Sequence, residues 1–195
     1  MNSWWIALCA AYLLGSLPFA YWVARYSKGI DPRTVGDGNL GGKNVFLNIG
    51  HTEGLLVSLL DIGKGMAAVT LARMFDLDLD ALLFVGFAAV IGHNWSLFLH
   101  FQGGQGMATT VGVLLALLPR ETLLGILVIA CVLVITRHWD FACGVGLALI
   151  PVVAWQWENN ATLAFYPVAL LPLIGVRKWM QTNVARREHR RRVRE

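Results

Sequence analysis

Residues 55–69 read LLVSLLDIGKGMAAV, an apolar run into which one aspartate and one lysine are set. Asp61 and Lys64 stand three positions apart and so share one face of a helix. If the run crosses a bilayer, each charge must pair or line water, because an unpaired ion in hydrocarbon is strongly unfavourable. As a structural ion pair near the cytoplasmic end of the helix they hold it in place. As a cation oriented by a carboxylate they present charge to a ligand, and Gly65 beside them lets another backbone come close. The residues alone leave both readings open.

The rest of the chain decides that the run does cross. Of 195 residues 56% are hydrophobic and only 14% charged, and the mean hydropathy is +0.58, which excludes a soluble domain of this size. A helix needs about 20 mostly apolar residues to cross a hydrocarbon core of roughly 30 Å. On that basis the spans are Ser3 to Tyr26, Glu53 to Phe75, Leu79 to Phe101, Met107 to Pro119, Glu121 to Arg137, Phe141 to Trp157 and Thr162 to Met180. The sequence therefore predicts an all-α polytopic membrane protein of about seven helices in a single bundle. Its fourth helix is short, and a short, interrupted helix tends to open on a cavity. One domain covers residues 1–185 and a basic tail covers 186–195.

Basic residues set the orientation. The tail VARREHRRRVRE with Arg177 and Lys178 holds eight of the sixteen Lys and Arg residues, which puts it in the cytoplasm by the positive-inside rule. Seven crossings then leave the amino terminus outside and the loop from Arg25 to Lys43 inside. Tryptophans at 4, 5, 95, 139, 155 and 157 fit interfacial belts. The arginine-rich tail reads as a topology signal resting on anionic lipid and not as a nucleic-acid arm. Cys9, Cys131 and Cys143 lie in apolar runs without ligand or pairing spacing and read as small hydrophobes. The first apolar run lacks a basic flank and a small residue before Cys9, so it is expected to stay as a helix.

Two polar stretches interrupt this pattern. Gly29 to Phe46, GIDPRTVGDGNLGGKNVF, holds five glycines, two aspartates, an arginine and a lysine. The second, IGHNWSLFLHFQGGQGMATT, sets His93 and Asn94 side by side before Gly103, Gly104 and Gly106. Glycines directly ahead of a helix leave N–H groups free at the positive end of its dipole, an arrangement suited to an anion. His100, seven residues after His93, has no third partner at a metal-binding spacing, so no metal is expected. Ser16 and Pro18 predict a kink in the first span, with the serine satisfying freed backbone groups.

The runs GSLPFAY, GID with Arg33, GDGN with GG and NVF, LDIGKG, and IGHNW with LFL and GGQGMAT occur in this order over residues 15 to 115. They resemble the bacterial acyl-phosphate:glycerol-3-phosphate acyltransferases, the PlsY family. Beyond residue 120 only apolar helices and a basic ending compare. The resemblance implies a seven-helix protein of the bacterial inner membrane with a cytoplasmic active site. It implies acyl transfer from acyl phosphate to the 1-hydroxyl of glycerol 3-phosphate, giving lysophosphatidic acid, the first step of phospholipid synthesis, without metal, cofactor or acyl-CoA. The family's motifs fall on Gly36, Gly38, Asn39, Gly41, Asn44 and Val45, on Asp61, Lys64 and Gly65, and on Gly103, Gly104 and Gly106; the expected phosphate-binding set is Arg33, Gly36, Asp37, Gly38, Asn39, Gly41, Asn44, Asp61, Gly103, Gly104, Gln105 and Gly106. His93, Asn94, Lys43 and Lys64 would serve catalysis.

This chain departs from the family pattern GSGNIGATNVFR and GGKG. Asp37 stands for a serine, Gly42 for an alanine, Lys43 for a threonine, Leu47 for an arginine and Gln105 for a lysine. A charge-assisted hydrogen bond to phosphate contributes about 1.5 to 3 kcal/mol, so two absent cations matter. Lys43 is expected to pair with Asp37 across the loop and to supply one phosphate contact. A relative that binds lipid phosphate or acylates another phosphorylated acceptor, and a small transporter, stay open as alternatives. Oligomeric state is not legible.

Overall fold

The computed structural model describes residues 4–192, with side chains through residue 183. Residues 1–3 and 193–195, which include the expected start of the first span and the end of the basic tail, lie outside the described residues. Nine helices and no strand are present among the described residues: α1 (Trp4–Gly15), α2 (Phe19–Lys28), α3 (Gly42–Asn48), α4 (His51–Arg73), α5 (Leu79–Asn94), α6 (Met107–Leu117), α7 (Pro119–Thr136), α8 (Trp139–Trp157) and α9 (Ala161–Arg192). Six stretches are long and apolar enough to cross a membrane, α1 and α2 counting as one, and α6 is a shorter apolar helix. The chain is a multi-pass membrane protein with one short helix, as its hydropathy predicts.

Three boundaries differ from the expected spans, each for a local reason. The first span is two helices, because Pro18 has no N–H to continue the ladder and its ring crowds the preceding turn. Ser16 Oγ donates to Tyr12 O at 2.8 Å. The freed carbonyls are satisfied from elsewhere: Ser96 Oγ donates to Ser16 O and Lys64 Nζ donates to Leu17 O, at 2.5 and 3.0 Å. The third span runs from Leu79 to Leu99, but its α-helix ends at Asn94, where Gly104 N–H takes the His93 carbonyl. A 3₁₀ turn, Leu97–Leu99, and left-handed His100 and Phe101 then lead the chain back. The last helix runs past Met180 through Arg192 and takes in most of the expected tail.

The core lies where α1, α4, α5 and α6 converge, around Val69, Val85, Ala89, Val90, Val113 and Leu114. Contact between α4 and α6 is backbone to backbone. A Cβ on Gly65 would lie 2.3 Å from Thr109 O, and one on Gly112 1.9 Å from Ile62 O. Small residues let membrane helices approach closely and gain packing that lipid cannot supply. Tyr166 OH, donating to Leu83 O at 2.8 Å, ties α9 to α5. Leu127, Val134 and Ile135 on α7 are exposed, as a lipid-facing surface requires.

Candidate active site

Asp61 lies near the middle of α4, away from the helix end where the sequence placed it, and it gathers two partners. Lys64 Nζ is 2.8 Å and His93 Nδ1 3.4 Å from its Oδ1. All three are buried, at 1, 4 and 6% exposure. The pair is thus structural in one respect, since the Lys64 ammonium is shared between Asp61 and the broken first span. Asp61 Oδ2 has no partner among the described residues, so the carboxylate keeps acceptor capacity.

Asp61 and His93 line two cavities. A narrow cleft is bounded by Pro18, Leu40, Lys64, Ser96, Gly103 and Gly104. A larger, mainly apolar cavity of about 210 Å³ is bounded by Ile62, Val111, Ile126, Ile129 and Leu147, with Lys43, Gly41 and Gln105 among its polar margin. Buried polar side chains beside an apolar cavity make a place where a charged group and a hydrocarbon tail can be held side by side.

The two glycine-rich stretches meet there. A Cβ on Gly104 would lie 2.2 Å from His93 Nε2 and 2.6 Å from Leu40 O, so the second loop passes directly over the imidazole and against the first loop. Gly106, at φ 85°, takes the left-handed turn that starts α6. In the first loop Asp31 caps a 3₁₀ turn, Pro32–Thr34, and pairs with Arg33. That hydrogen bond holds the Asp31 carboxyl below its ordinary range. Gly36 and Gly38 turn the chain at positive φ. Asn44 then donates to the carbonyls of Pro32, Val35 and Asn39, at 3.0, 3.2 and 3.0 Å, and closes the loop from inside.

Three comparisons with known proteins bear on this arrangement. A family model described as glycerol-3-phosphate acyltransferase matches residues 5–187. This chain belongs to the glycerol-3-phosphate acyltransferase family. A glycerol-3-phosphate acyltransferase 2 of Moorella thermoacetica is 40% identical over 189 residues, covering 96% of this chain and 97% of that one. A glycerol-3-phosphate acyltransferase of Pseudomonas putida is 39% identical, covering 92% of each. Among solved structures, the glycerol 3-phosphate form of PlsY, an integral membrane glycerol 3-phosphate acyltransferase, superposes with a TM-score of 0.84. It is 32% identical and covers 93% of this chain and 91% of its own. Its lysophosphatidic acid form gives 0.82 at 31% identity.

Within this acyltransferase fold, Asn39, Gly41, Lys43, Asp61, Lys64, His93, Gly103, Gly104, Gln105 and Gly106 line one or both cavities. Others stand apart. Asn94, expected beside the chemistry, donates to Leu173 O at 3.0 Å and lines neither cavity, because the last turn of α5 points it at α9. Asn44 spends its amide on loop carbonyls, and Arg33 is engaged by Asp31 and lies over the Tyr21 ring at 5.5 Å. Lys43 does not pair with Asp37. Asp37 Oδ1 accepts from Asn39 N–H at 3.0 Å, turning back on its own loop, and Lys43 reaches Asp140 on α8 at 2.8 Å.

The sequence reading missed the contribution of α9. Arg177 Nη2 and Gln181 Nε2 both donate to Gly103 O at 3.1 Å, and Arg177 lies over the Trp95 ring at 6.0 Å. Gln105 donates to Gln181, which donates to Asn39 at 3.3 Å. The available signal was Arg177 itself, a cation set in an apolar run, which was counted only as a topology charge.

Proposed function

We propose that this acyltransferase transfers a fatty acyl group from acyl phosphate to the 1-hydroxyl of glycerol 3-phosphate, giving lysophosphatidic acid and inorganic phosphate. The observation that carries the reading is that Asp61, His93 and residues of both glycine-rich loops together border a narrow cleft and an apolar cavity. Family membership over nearly the whole chain supports acyl transfer over a small transporter. The acyl phosphate donor is what the resemblance to the PlsY family implies; among the described residues neither cavity has a serine or cysteine hydrogen-bonded to a base, which suits an already activated donor and transfer without an acyl-enzyme.

In this reading the acyl tail occupies the apolar cavity and the loops at Gly36–Asn44 and Gly103–Gly106 receive phosphate through backbone N–H groups, with Lys43 countering charge. The acceptor oxygen bonds to the acyl carbon, the bond from that carbon to the phosphate oxygen breaks, and the phosphate leaves with the electron pair and takes the hydroxyl proton. His93, held by Asp61, orients the hydroxyl. Lys64 holds Asp61 in place, Asn44 and Arg33 support the first loop, and Asn94 ties α5 to α9, none of these last three touching substrate. The orientation has the amino terminus outside and the carboxyl end of α9 in the cytoplasm. The ion pairs joining Lys43 and Lys178 to one aspartate support it, since they put the first loop and the basic end of α9 on one side.

The experiment is purified protein with acyl phosphate and glycerol 3-phosphate, following lysophosphatidic acid and released phosphate together, with acyl-CoA as control donor. Equal amounts of both products from acyl phosphate alone support the proposal. Product from acyl-CoA and none from acyl phosphate refutes the donor.

A further inference from the structure

Asp140, in the first turn of α8, is gripped from two sides. Lys43 Nζ lies 2.8 Å from its Oδ1 and Lys178 Nζ 2.9 Å from its Oδ2, so α3, α8 and α9 meet at one carboxylate. Two positive charges face a single negative one. Lys43 lines the apolar cavity, and one turn beyond Lys178 on α9 stands Gln181, bonded to Gln105 and Asn39 on the same rim. The side chains of Lys43, Lys178 and Asp140 are 26, 46 and 44% exposed. Ion pairs so open to water are individually weak and exchange readily.

A carboxylate bridging two ammoniums offers them two oxygens, as a phosphate does, with half the charge of a dianion. We infer that Asp140 is a stand-in anion. It holds Lys43, at the rim of the apolar cavity, and Lys178 on its other oxygen until the phosphate of the acyl donor displaces it and takes both ammoniums. This rests on the acyl-transfer reading and deepens it by assigning Lys178 to phosphate binding and Asp140 to positioning. Both substrates carry a phosphate. The donor is favoured because only it has a tail for the cavity that Lys43 borders.

The test is binding of inorganic phosphate to the purified full-length protein by titration calorimetry, for wild type, Asp140→Asn and Lys178→Ala. Removing the competing carboxylate tightens phosphate binding by roughly three- to tenfold, and removing one ammonium weakens it by a similar factor. Damage to the fold would weaken both variants, so the opposite signs are diagnostic. Phosphate binding by Asp140→Asn that is unchanged or weaker overturns the proposal. In acyl transfer, Asp140→Asn lowers the KM for acyl phosphate and leaves that for glycerol 3-phosphate unchanged; a shift confined to glycerol 3-phosphate overturns the assignment to the donor. Calorimetry needs no turnover, so the cluster is tested even if the donor proves to be another compound.

Discussion

The Lys64 ammonium donates to the carbonyl of Leu17 at 3.0 Å, joining the middle of α4 to the break between α1 and α2. With Asp61 at 2.8 Å the same ammonium stabilises a buried carboxylate and an orphaned backbone oxygen at once. Lys64→Met removes both functions and leaves Asp61 buried with only His93 beside it. A buried pair broken on one side costs about 3 to 5 kcal/mol. Thermal unfolding in detergent is expected to fall accordingly, and Asp61→Asn combined with Lys64→Met is expected to be more stable than Lys64→Met alone.

Gly104→Ala is expected to disable the site while leaving the bundle folded. The added Cβ would meet His93 Nε2 and Leu40 O, so the two loops must separate. A displacement of about 1 Å at a reacting centre costs on the order of 10²-fold in rate. Gly63→Ala is the control, since a Cβ there meets nothing within 4 Å and the helix propensity improves. Steady-state acyl transfer with melting curves for both variants checks the contrast.

Gln105→Lys is expected to strengthen phosphate binding. Gln105 borders the apolar cavity, and its amide is engaged by Gln181. An ammonium there adds a charge-assisted hydrogen bond of about 1.5 to 3 kcal/mol, lowering substrate KM about tenfold or more. An unchanged KM for both substrates would show that position 105 faces no phosphate.

The Asp31–Arg33 pair has a pH signature. Asp31 has a lower pKa folded than unfolded, because Arg33 hydrogen-bonds the carboxylate. Its stabilisation is therefore full above the unfolded value of about 3.9 and is lost as pH falls through the folded one. Asp31→Asn is expected to melt slightly below wild type at about pH 7, by less than about 1 kcal/mol, and the gap is expected to shrink as the pH falls below the unfolded value.

Apolar runs, the short fourth helix and the basic bias were legible because length and charge alone decide them. Proline 18 announced its break for the same local reason. What stayed hidden depends on packing between distant segments. Nothing near Lys43 in sequence reveals that Asp140, 97 positions away, is its partner, so the nearer Asp37 seemed the natural choice. Asn94 beside His93 suggested a shared task, yet successive helical residues point in different directions and only His93 reaches the cavities. The support that Arg177 and Gln181 give to Gly103 required knowing that α9 returns to α5, and apolar periodicity carries no such information.

In the proposed reaction two glycine-rich loops, which meet beside His93, grip phosphate together. Hydrogen–deuterium exchange of the full-length protein in detergent, with and without glycerol 3-phosphate, tests it most directly. Slowed exchange is expected in Gly36–Asn44 and Gly103–Gly106 at the same ligand concentration. Protection of one loop alone, or of neither while ligand is bound, would contradict it.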